Sequence, residues 1–234
     1  MSKLRFNITM SLDGYVAGPN QSLENPLGEG GEQLHDWAYN LKTFREMHGE
    51  PGGETGTNDD VLREAFSNVG ATIMGRGMFG GGHGPWDEEW RGWWGENPPY
   101  HTPVFVLTHH AREPLEMQGG TTFFFVTDGI ESAMRQAKEA AGDKDVMLGG
   151  GAKVAQQYLV AGLLDEMELH VVPLLLGGGE RLLDGLEGSD LTLEPVRTVE
   201  GTGVAHLKYR LFKKSSARGL PSLQVRTALS IHGP

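Results

Sequence analysis

The sequence predicts an α/β fold with a mostly parallel central sheet and an antiparallel hairpin at its C-terminal end. Two observations on the 234-residue chain lead to this prediction. Up to Gly162, short apolar segments alternate with segments of helical periodicity, which is typical of parallel strands joined by helical crossovers. Beyond Gly162, two segments alternate apolar with polar residues on either side of a turn at 200–203, which is typical of a β-hairpin.

The first third of the chain is expected to hold one strand and two helices. Residues 4–10 alternate apolar with polar side chains before a turn and predict the strand. In a polar insertion at 19–58, four apolar residues recur at spacings of three and four, which predicts one amphipathic helix. These residues are Leu34, Trp37, Leu41 and Phe44. A second helix is expected to be capped by Asn58 or Asp59 and to end near Gly70.

The later strands and helices follow in alternation. Strands are predicted at 71–74, 103–108, 121–127, 145–148 and 164–173, and the hairpin arms at 191–199 and 204–212. Helices are predicted at 129–141, capped by Asp128, and directly after Gly151. The segment 80–99 holds four of the five tryptophans and has neither helical nor strand periodicity, so a structured loop is expected there.

The composition excludes several classes of function. The chain has no cysteine, which rules out disulfides, thiolate nucleophiles and cysteine-ligated metal centres. Its formal net charge of -11 disfavours nucleic acid and anionic membranes as partners. The histidines lack the spacing of a metalloprotease helix, so no metal is predicted. Neither a signal peptide nor a membrane span is recognisable, and a cytoplasmic location is therefore expected.

Two glycine-rich segments follow predicted strands and are candidates for phosphate binding. Residues 75–80 read Gly-Arg-Gly-Met-Phe-Gly and match the fingerprint of a Rossmann dehydrogenase, which requires a helix directly after Gly77. The tryptophan-rich loop stands where that helix would be. Residues 149–151 are three glycines between a strand and a helix, where bare backbone lets N–H groups approach a pyrophosphate. A tight strand-to-helix turn is the alternative explanation for them.

The order of the polar clusters along the chain predicts a shared ligand site. Three clusters directly follow predicted strands, at 75–77, 108–112 and 149–151. In an open α/β sheet the carboxyl ends of parallel strands form one edge, so all three clusters are expected to face one ligand. Arg76 would then pair with a phosphate, and Thr108 would meet a 2′-phosphate together with His109 and Arg112.

Taken together, these motifs resemble the dihydrofolate-reductase-like superfamily, in particular the C-terminal reductase domain of riboflavin-biosynthesis enzymes and its stand-alone relatives. The resemblance spans about residues 3–213 and rests on the order of five motifs. These are MSLDGYVAG at 10–18, MGR at 74–76, VLT at 106–108, VMLGGG at 146–151 and LHVVPLLLGGG at 169–179. The resemblance implies a three-layer fold with a mostly parallel central sheet, and a homodimer.

The resemblance also implies an NADPH site. Met10 and Ala17 would flank the nicotinamide, and Thr108 and His109 would meet the 2′-phosphate of the adenosine. The other cofactor-binding residues would hold phosphate or cradle the pyrophosphate, and they are Gly75, Arg76, Gly77, Leu148, Gly149, Gly150, Gly151 and Ala152. Two positions depart from the family pattern. Met78 stands where dihydrofolate reductases place a threonine, and Tyr15 stands where the riboflavin enzymes usually carry a lysine.

Reduction of a C=N bond requires a proton source close to the substrate ring. Asp36 is the candidate, because it lies near the start of the predicted helix in the insertion, roughly where dihydrofolate reductases carry their substrate-binding acid. Trp37 would stack on the ring. His170 corresponds to a family position near the substrate and would hydrogen-bond the heterocycle. Asp13 is the alternative acid, although an Asp-Gly turn also accounts for it.

The predicted function is that of an NADPH-dependent reductase that transfers hydride to a small pterin-like or pyrimidine-like heterocycle, related to 5-amino-6-(5-phosphoribosylamino)uracil reductase and dihydrofolate reductase. Residues 1–214 would form this single domain, and 215–234 a C-terminal tail. A catalytically silent dimeric nucleotide-binding module is one alternative, and a Rossmann dehydrogenase is the other.

Overall fold

The computed structural model describes residues 2–82 and 84–213, and the predicted tail at 215–234 lies outside the described residues. The strands are β1 (Leu4–Ser11), β2 (Tyr15–Ala17), β3 (Val69–Gly75), β4 (Pro103–Leu107), β5 (Leu115–Glu116), β6 (Thr122–Val126), β7 (Asp145–Gly150), β8 (Glu166–Val172), β9 (Glu180–Arg181), β10 (Leu191–Gly201) and β11 (Val204–Lys213). The α-helices are α1 (Lys42–Met47), α2 (Thr57–Phe66), α3 (Arg76–Phe79), α4 (Ile130–Ala141) and α5 (Ala152–Ala161). Two short 3-10 helices cover Gly31–His35 and Gln118–Gly120.

The main sheet has nine strands in the order β10-β11-β8-β1-β7-β3-β4-β6-β5. The six strands from β8 to β6 are all parallel to one another. Strand β11 pairs antiparallel with β8 and with β10, and β5 pairs antiparallel with β6. A separate two-stranded sheet joins β2 to β9. The predicted fold class, a mostly parallel sheet with an antiparallel C-terminal hairpin, is confirmed.

Helices and loops cover both faces of the sheet and give three layers. Helices α4 and α5 bury one face, where Ala137 and Tyr158 belong to the same apolar cluster as Ile73. The next residue along β3, Met74, points to the opposite face because side chains alternate along a strand. There it lies in a second cluster with Phe79, against which tryptophans of the 80–99 loop pack. On the β8 and β11 side of this second face, α2 and the insertion provide the cover.

The insertion does not contain the single helix predicted from Leu34 to Phe44. The chain forms the 3-10 helix Gly31–His35, a series of turns and then α1. Leu41 breaks the helical path with extended backbone angles, φ -69° and ψ 142°. The apolar spacing instead reflects separate tertiary contacts. Leu34 packs with Val172 and Val204, whereas Leu41 belongs to the cluster of Ala38 and Leu62.

The predicted helix caps are also wrong. Gly56 is the N-cap residue of α2, and Asp59 is buried, where it accepts a hydrogen bond from the backbone N–H of Thr43 at 2.7 Å. Asn58 reaches the distant hairpin turn. Helix α4 has Gly129 as its N-cap residue, with no side-chain cap bond from Asp128. The side chains of Asn58 and Asp59 are thus engaged in tertiary contacts, which the local sequence does not specify.

Candidate active site

The three predicted clusters converge at the carboxyl ends of β7, β3 and β4, which are neighbours in the sheet. Met74 is paired with Gly150, and Gly75 with Leu107. A Cβ atom built on Gly75 would lie 2.6 Å from Cγ2 of Val154 and 3.7 Å from the backbone O of Gly150. The end of β3 therefore abuts the start of α5, and glycine is needed at position 75 for this close approach. We refer to residues 75–77, 108–110 and 149–152 as the glycine edge.

The first turn of α5 presents backbone donors at this edge. Gly151 is the N-cap residue and makes no side-chain cap bond, and a Cβ atom built on it would meet nothing within 4 Å. Gly150 has φ +118°, which disfavours any other residue, and the peptide bond between Gly150 and Gly151 is cis. The N–H groups of a helix start and its macrodipole favour an anion. Leu148 and Ala152 have buried side chains, so they offer a ligand chiefly their backbone.

Two arginines stack on Trp86 beside the glycine edge. The Arg76 Cζ atom lies 3.7 Å from the Trp86 ring centroid, and that of Arg112 lies 5.3 Å from it. Arg76 is 8% exposed, and its Nε and Nη1 atoms are buried with no hydrogen-bond partner among the described residues. Burial, followed by the nearby charge of Arg112, lowers the pKa of Arg76. Arg112 already lies 4.0 Å from the Glu88 carboxylate, so Arg76 is the desolvated cation whose unused donors an anionic ligand would complete.

The structure places the remaining predicted cofactor residues around the same edge or on β1 and β2. The hydroxyl of Thr108 closes a turn by accepting the N–H of His110 at 3.2 Å, whereas His109 is exposed. Met10 and Ala17 are buried near the end of β1 and in β2. Helix α3 ends at Phe79. The described residues between α3 and β4, which do not include His83, are irregular, so they do not form the crossover helix of the Rossmann alternative.

The predicted substrate residues Trp37 and His170 are in contact. Their ring centroids are 5.0 Å apart, and the indole N–H of Trp37 donates to Thr9 Oγ1 at 3.2 Å. Thr9, His170 and His206 are paired in register across β1, β8 and β11, so their side chains form one row across the sheet. Trp37 also lies 5.2 Å from His206, measured between ring centroids.

Sequence reasoning did not identify His206 or Asn58 as members of this cluster. The Nδ1 atoms of His170 and His206 are 2.8 Å apart, and His206 Nε2 lies 3.1 Å from Asn58 Oδ1. Both histidines are almost completely buried. The register of the hairpin against β8 was the one signal that would have brought His206 beside His170.

Burial keeps both histidines neutral. It lowers the pKa of His170 to about 3, with further contributions from His206, Arg197 and His35. It lowers the pKa of His206 to about 4, with a further contribution from Arg197. At neutral pH each ring therefore has one donor nitrogen and one acceptor nitrogen.

We expect this histidine pair to make the protein acid-sensitive. In the unfolded chain the two histidines bind protons as the pH falls through about 6.5, whereas in the folded protein they bind them only at a much lower pH. The free energy of unfolding therefore falls as the pH drops below about 6.5. The expected loss between pH 7 and pH 5 is about 2 kcal/mol for each histidine. Urea unfolding at both pH values measures it. The double variant His170→Leu with His206→Leu should have a flatter pH dependence, whereas His109→Leu should keep the wild-type slope.

Of the two candidate acids, Asp36 lies in a different environment from the one expected, and Asp13 lies in the expected turn. Asp36 is exposed and lies at the C-terminal end of the 3-10 helix, so its predicted position at a helix start is wrong. Asp13 accepts hydrogen bonds from the Ser11 hydroxyl at 2.6 Å and from the backbone N–H groups of Leu176 and Gly177. These bonds, chiefly that from Ser11, lower the pKa of Asp13. Asp13 therefore ties the β1–β2 turn to the 174–179 loop as a carboxylate.

Metal and membrane features can be assessed only for residues 2–82 and 84–213. No group of three histidine or carboxylate side chains in these ranges is arranged to hold a metal ion. Over the same residues, none of the helices combines the length and apolar character that crossing a bilayer requires.

Comparison with known proteins gives a family match and one curated relative. Residues 2–206 match the family model described as the RibD C-terminal domain. The uncharacterised protein YyaP of Bacillus subtilis (strain 168) is 33% identical over 119 residues, which cover 49% of this chain and 62% of YyaP. The chain thus matches less than two thirds of that relative's length.

Several solved structures have a similar fold at low sequence identity. A putative riboflavin biosynthesis protein from Shewanella sp. PV-4 has a TM-score of 0.57 at 23% identity, with 91% of this chain and 100% of that chain covered. The deaminase/5-amino-6-(5-phosphoribosylamino)uracil reductase of Thermotoga maritima has a TM-score of 0.52 at 15% identity, covering 89% and 56%. Acinetobacter baumannii RibD has a TM-score of 0.53 at 15% identity, covering 91% and 59%.

Proposed function

The chain belongs to the RibD C-terminal domain family, as its motifs predicted, and from this premise we propose that it is an NADPH-dependent reductase acting on a small heterocycle. The observation that carries the proposal is the glycine edge, where the start of α5 abuts Gly75, the residue before a buried arginine with unused donors. Because the whole chain has a formal net charge of -11, an anionic cofactor must be held by such a local group of donors.

The residues at this edge fit the parts of NADPH. Backbone N–H groups at 149–152 would take the pyrophosphate, and Arg76 would pair with a phosphate. Thr108 and His109, with Arg112 beside them, would meet the 2′-phosphate, and Met10 and Ala17 would flank the nicotinamide. When bound, NADPH supplies the hydride. The chain's own task is to orient the two rings and to exclude water between them.

The substrate side of the proposal rests on Trp37 and His170. Trp37 offers an aromatic face and His170 a buried polar atom, which together suit a flat heterocycle with polar edges. Asp36 remains the proposed proton source. From its exposed position it would give a proton to the bound substrate. The pterin-like or pyrimidine-like character of the substrate, the homodimer and the cytoplasmic location are further parts of this proposal.

The exposure of Asp36 favours the alternative of a catalytically silent dimeric nucleotide-binding module. Asp36 is exposed rather than buried beside Trp37, so the substrate side has no enclosed acid at that position. For either function, Met78 bears on phosphate binding, because it packs over the first of the three glycines, with its Sδ atom 3.2 Å from a Cβ atom built on Gly149. A thioether there offers no hydroxyl donor to a phosphate.

An oxidation assay separates the two functions. A panel of pteridines and aminopyrimidines is incubated with the protein and NADPH, and the loss of NADPH absorbance is followed. The proposed reductase consumes NADPH with at least one member of the panel, whereas a silent module binds NADPH without consuming it. Light scattering on the same sample measures the mass of the assembly and tests the homodimer.

A further inference from the structure

We infer that Asn58 and His206 act as positioning residues that hold His170 in one tautomer, with Nδ1 protonated and Nε2 bare. The substrate site would then select a ring that presents an N–H donor to His170 rather than a carbonyl. The inference deepens the proposed function, because it names a chemical feature of the substrate that the reductase would take.

The direction of the hydrogen bonds begins at the hairpin turn. Asn58 Nδ2 donates to the backbone carbonyl of Thr202 at 3.1 Å, so its Oδ1 is the atom that faces His206 Nε2. An amide oxygen accepts only, and His206 must therefore carry its proton on Nε2. The Asn58 side chain lies against Gly201, since a Cβ atom built there would be 1.8 Å from Oδ1.

The tautomer of His206 determines that of His170. A neutral His206 that donates from Nε2 has a lone pair on Nδ1, so the 2.8 Å contact between the two Nδ1 atoms requires His170 to donate. His170 Nε2 is then left with a lone pair and can only accept a hydrogen bond. Three charged or titratable groups face His170 and disfavour its protonation, and they are His206 on β11, Arg197 on β10 and His35 on the 3-10 helix.

His170 is the residue of this row that would contact the ligand through its bare Nε2 atom. Thr9 lies beside it in the row across the sheet, where its oxygen accepts a hydrogen bond from the indole N–H of Trp37 and its hydroxyl proton remains a donor. Trp37 in turn packs on both histidine rings. A heterocycle stacked on Trp37 would thus meet an acceptor in His170.

Nitrogen-15 NMR of the histidine rings tests the tautomer without any ligand. The wild type is expected to have His170 protonated at Nδ1 at neutral pH. Asn58→Leu and Gly201→Ala remove or displace the Oδ1 acceptor by independent routes, and both should give a mixture of tautomers at His170. The control Thr202→Ala removes a side chain of the same turn and keeps the carbonyl that orients Asn58, so its spectrum should match the wild type. Finding His170 protonated at Nε2 in the wild type overturns the inference.

A matched pair of probes tests the selectivity. 2-Aminopyrimidine and 2-methylpyrimidine have nearly the same shape, but only the first has an N–H donor. We expect the amino compound to bind the wild type about tenfold more tightly and to shift the His170 Nε2 resonance, and we expect this ratio to fall towards one in Asn58→Leu. Equal affinity of the two probes for the wild type overturns the inference. Neither measurement uses NADPH, so failure of the reductase proposal would be seen separately.

Discussion

Replacing Gly151 with aspartate should weaken NADPH binding about a hundredfold and leave the protein at least as stable as the wild type. The residue is the N-cap of α5, has φ -78° and has open space around its Cβ position, so an aspartate fits without strain. Compared with glycine, an aspartate at an N-cap stabilises a helix by only a few tenths of a kcal/mol, about 0.3 kcal/mol. The same carboxylate would stand where the pyrophosphate is proposed to bind and would repel it by roughly 3 kcal/mol, about a hundredfold in affinity.

Gly151→Ser is the matched control for this change. Serine also caps a helix but adds no charge, so it should raise stability similarly and weaken NADPH binding far less than aspartate does. Thermal melts and NADPH titrations followed by tryptophan fluorescence measure both effects. Tight NADPH binding by Gly151→Asp would show that the start of α5 is not the phosphate site.

Replacing Arg76 with methionine is expected to weaken NADPH binding by about 1 to 3 kcal/mol, roughly 5- to 150-fold. Stability should change little. The variant loses the stacking of Arg76 on Trp86, worth about 0.5 to 2 kcal/mol, but it no longer buries a cation with two unused nitrogen atoms. Loss of affinity without loss of stability is the signature of a residue kept for its ligand.

The control for the loss of positive charge is Arg210→Met. Arg210 is exposed on β11 and pairs with Glu194 at 3.7 Å. Such a surface ion pair contributes little to the stability of the protein. Its replacement changes the net charge of the protein by the same amount as Arg76→Met does. If both variants lose the same small amount of NADPH affinity, the effect is one of overall charge, and Arg76 has no specific role.

The sequence predicted the eight longer strands and the convergence of the glycine edge because both depend on local patterns, whereas the two- and three-residue strands β2, β5 and β9 are too short to leave such a pattern. Apolar runs that end in glycine mark buried strands such as β3 and β7, and parallel neighbours place their carboxyl ends together. The insertion was predicted wrongly because Leu34 and Leu41 have a helical spacing but bury their side chains in different clusters. Tertiary packing decided the local conformation there, which a single-sequence pattern does not contain.

The polar cluster around His170 was only partly predictable for a related reason. Trp37 and His170 were identified from the family resemblance, but Asn58 was assigned as a helix cap. Its partner His206 is distant in sequence, and the two meet because the hairpin turn lies against the start of α2. The contacts among the residues of this row can be predicted only when the register of β11 against β8 is known.

Hydrogen–deuterium exchange with and without NADPH tests most directly whether three separate chain segments bind one cofactor. Binding should slow amide exchange simultaneously at 75–77, 108–110 and 149–152, while the amides of the β10–β11 hairpin stay unchanged. If NADPH leaves all three segments unprotected, or protects only one of them, the proposed cofactor site at the glycine edge is wrong.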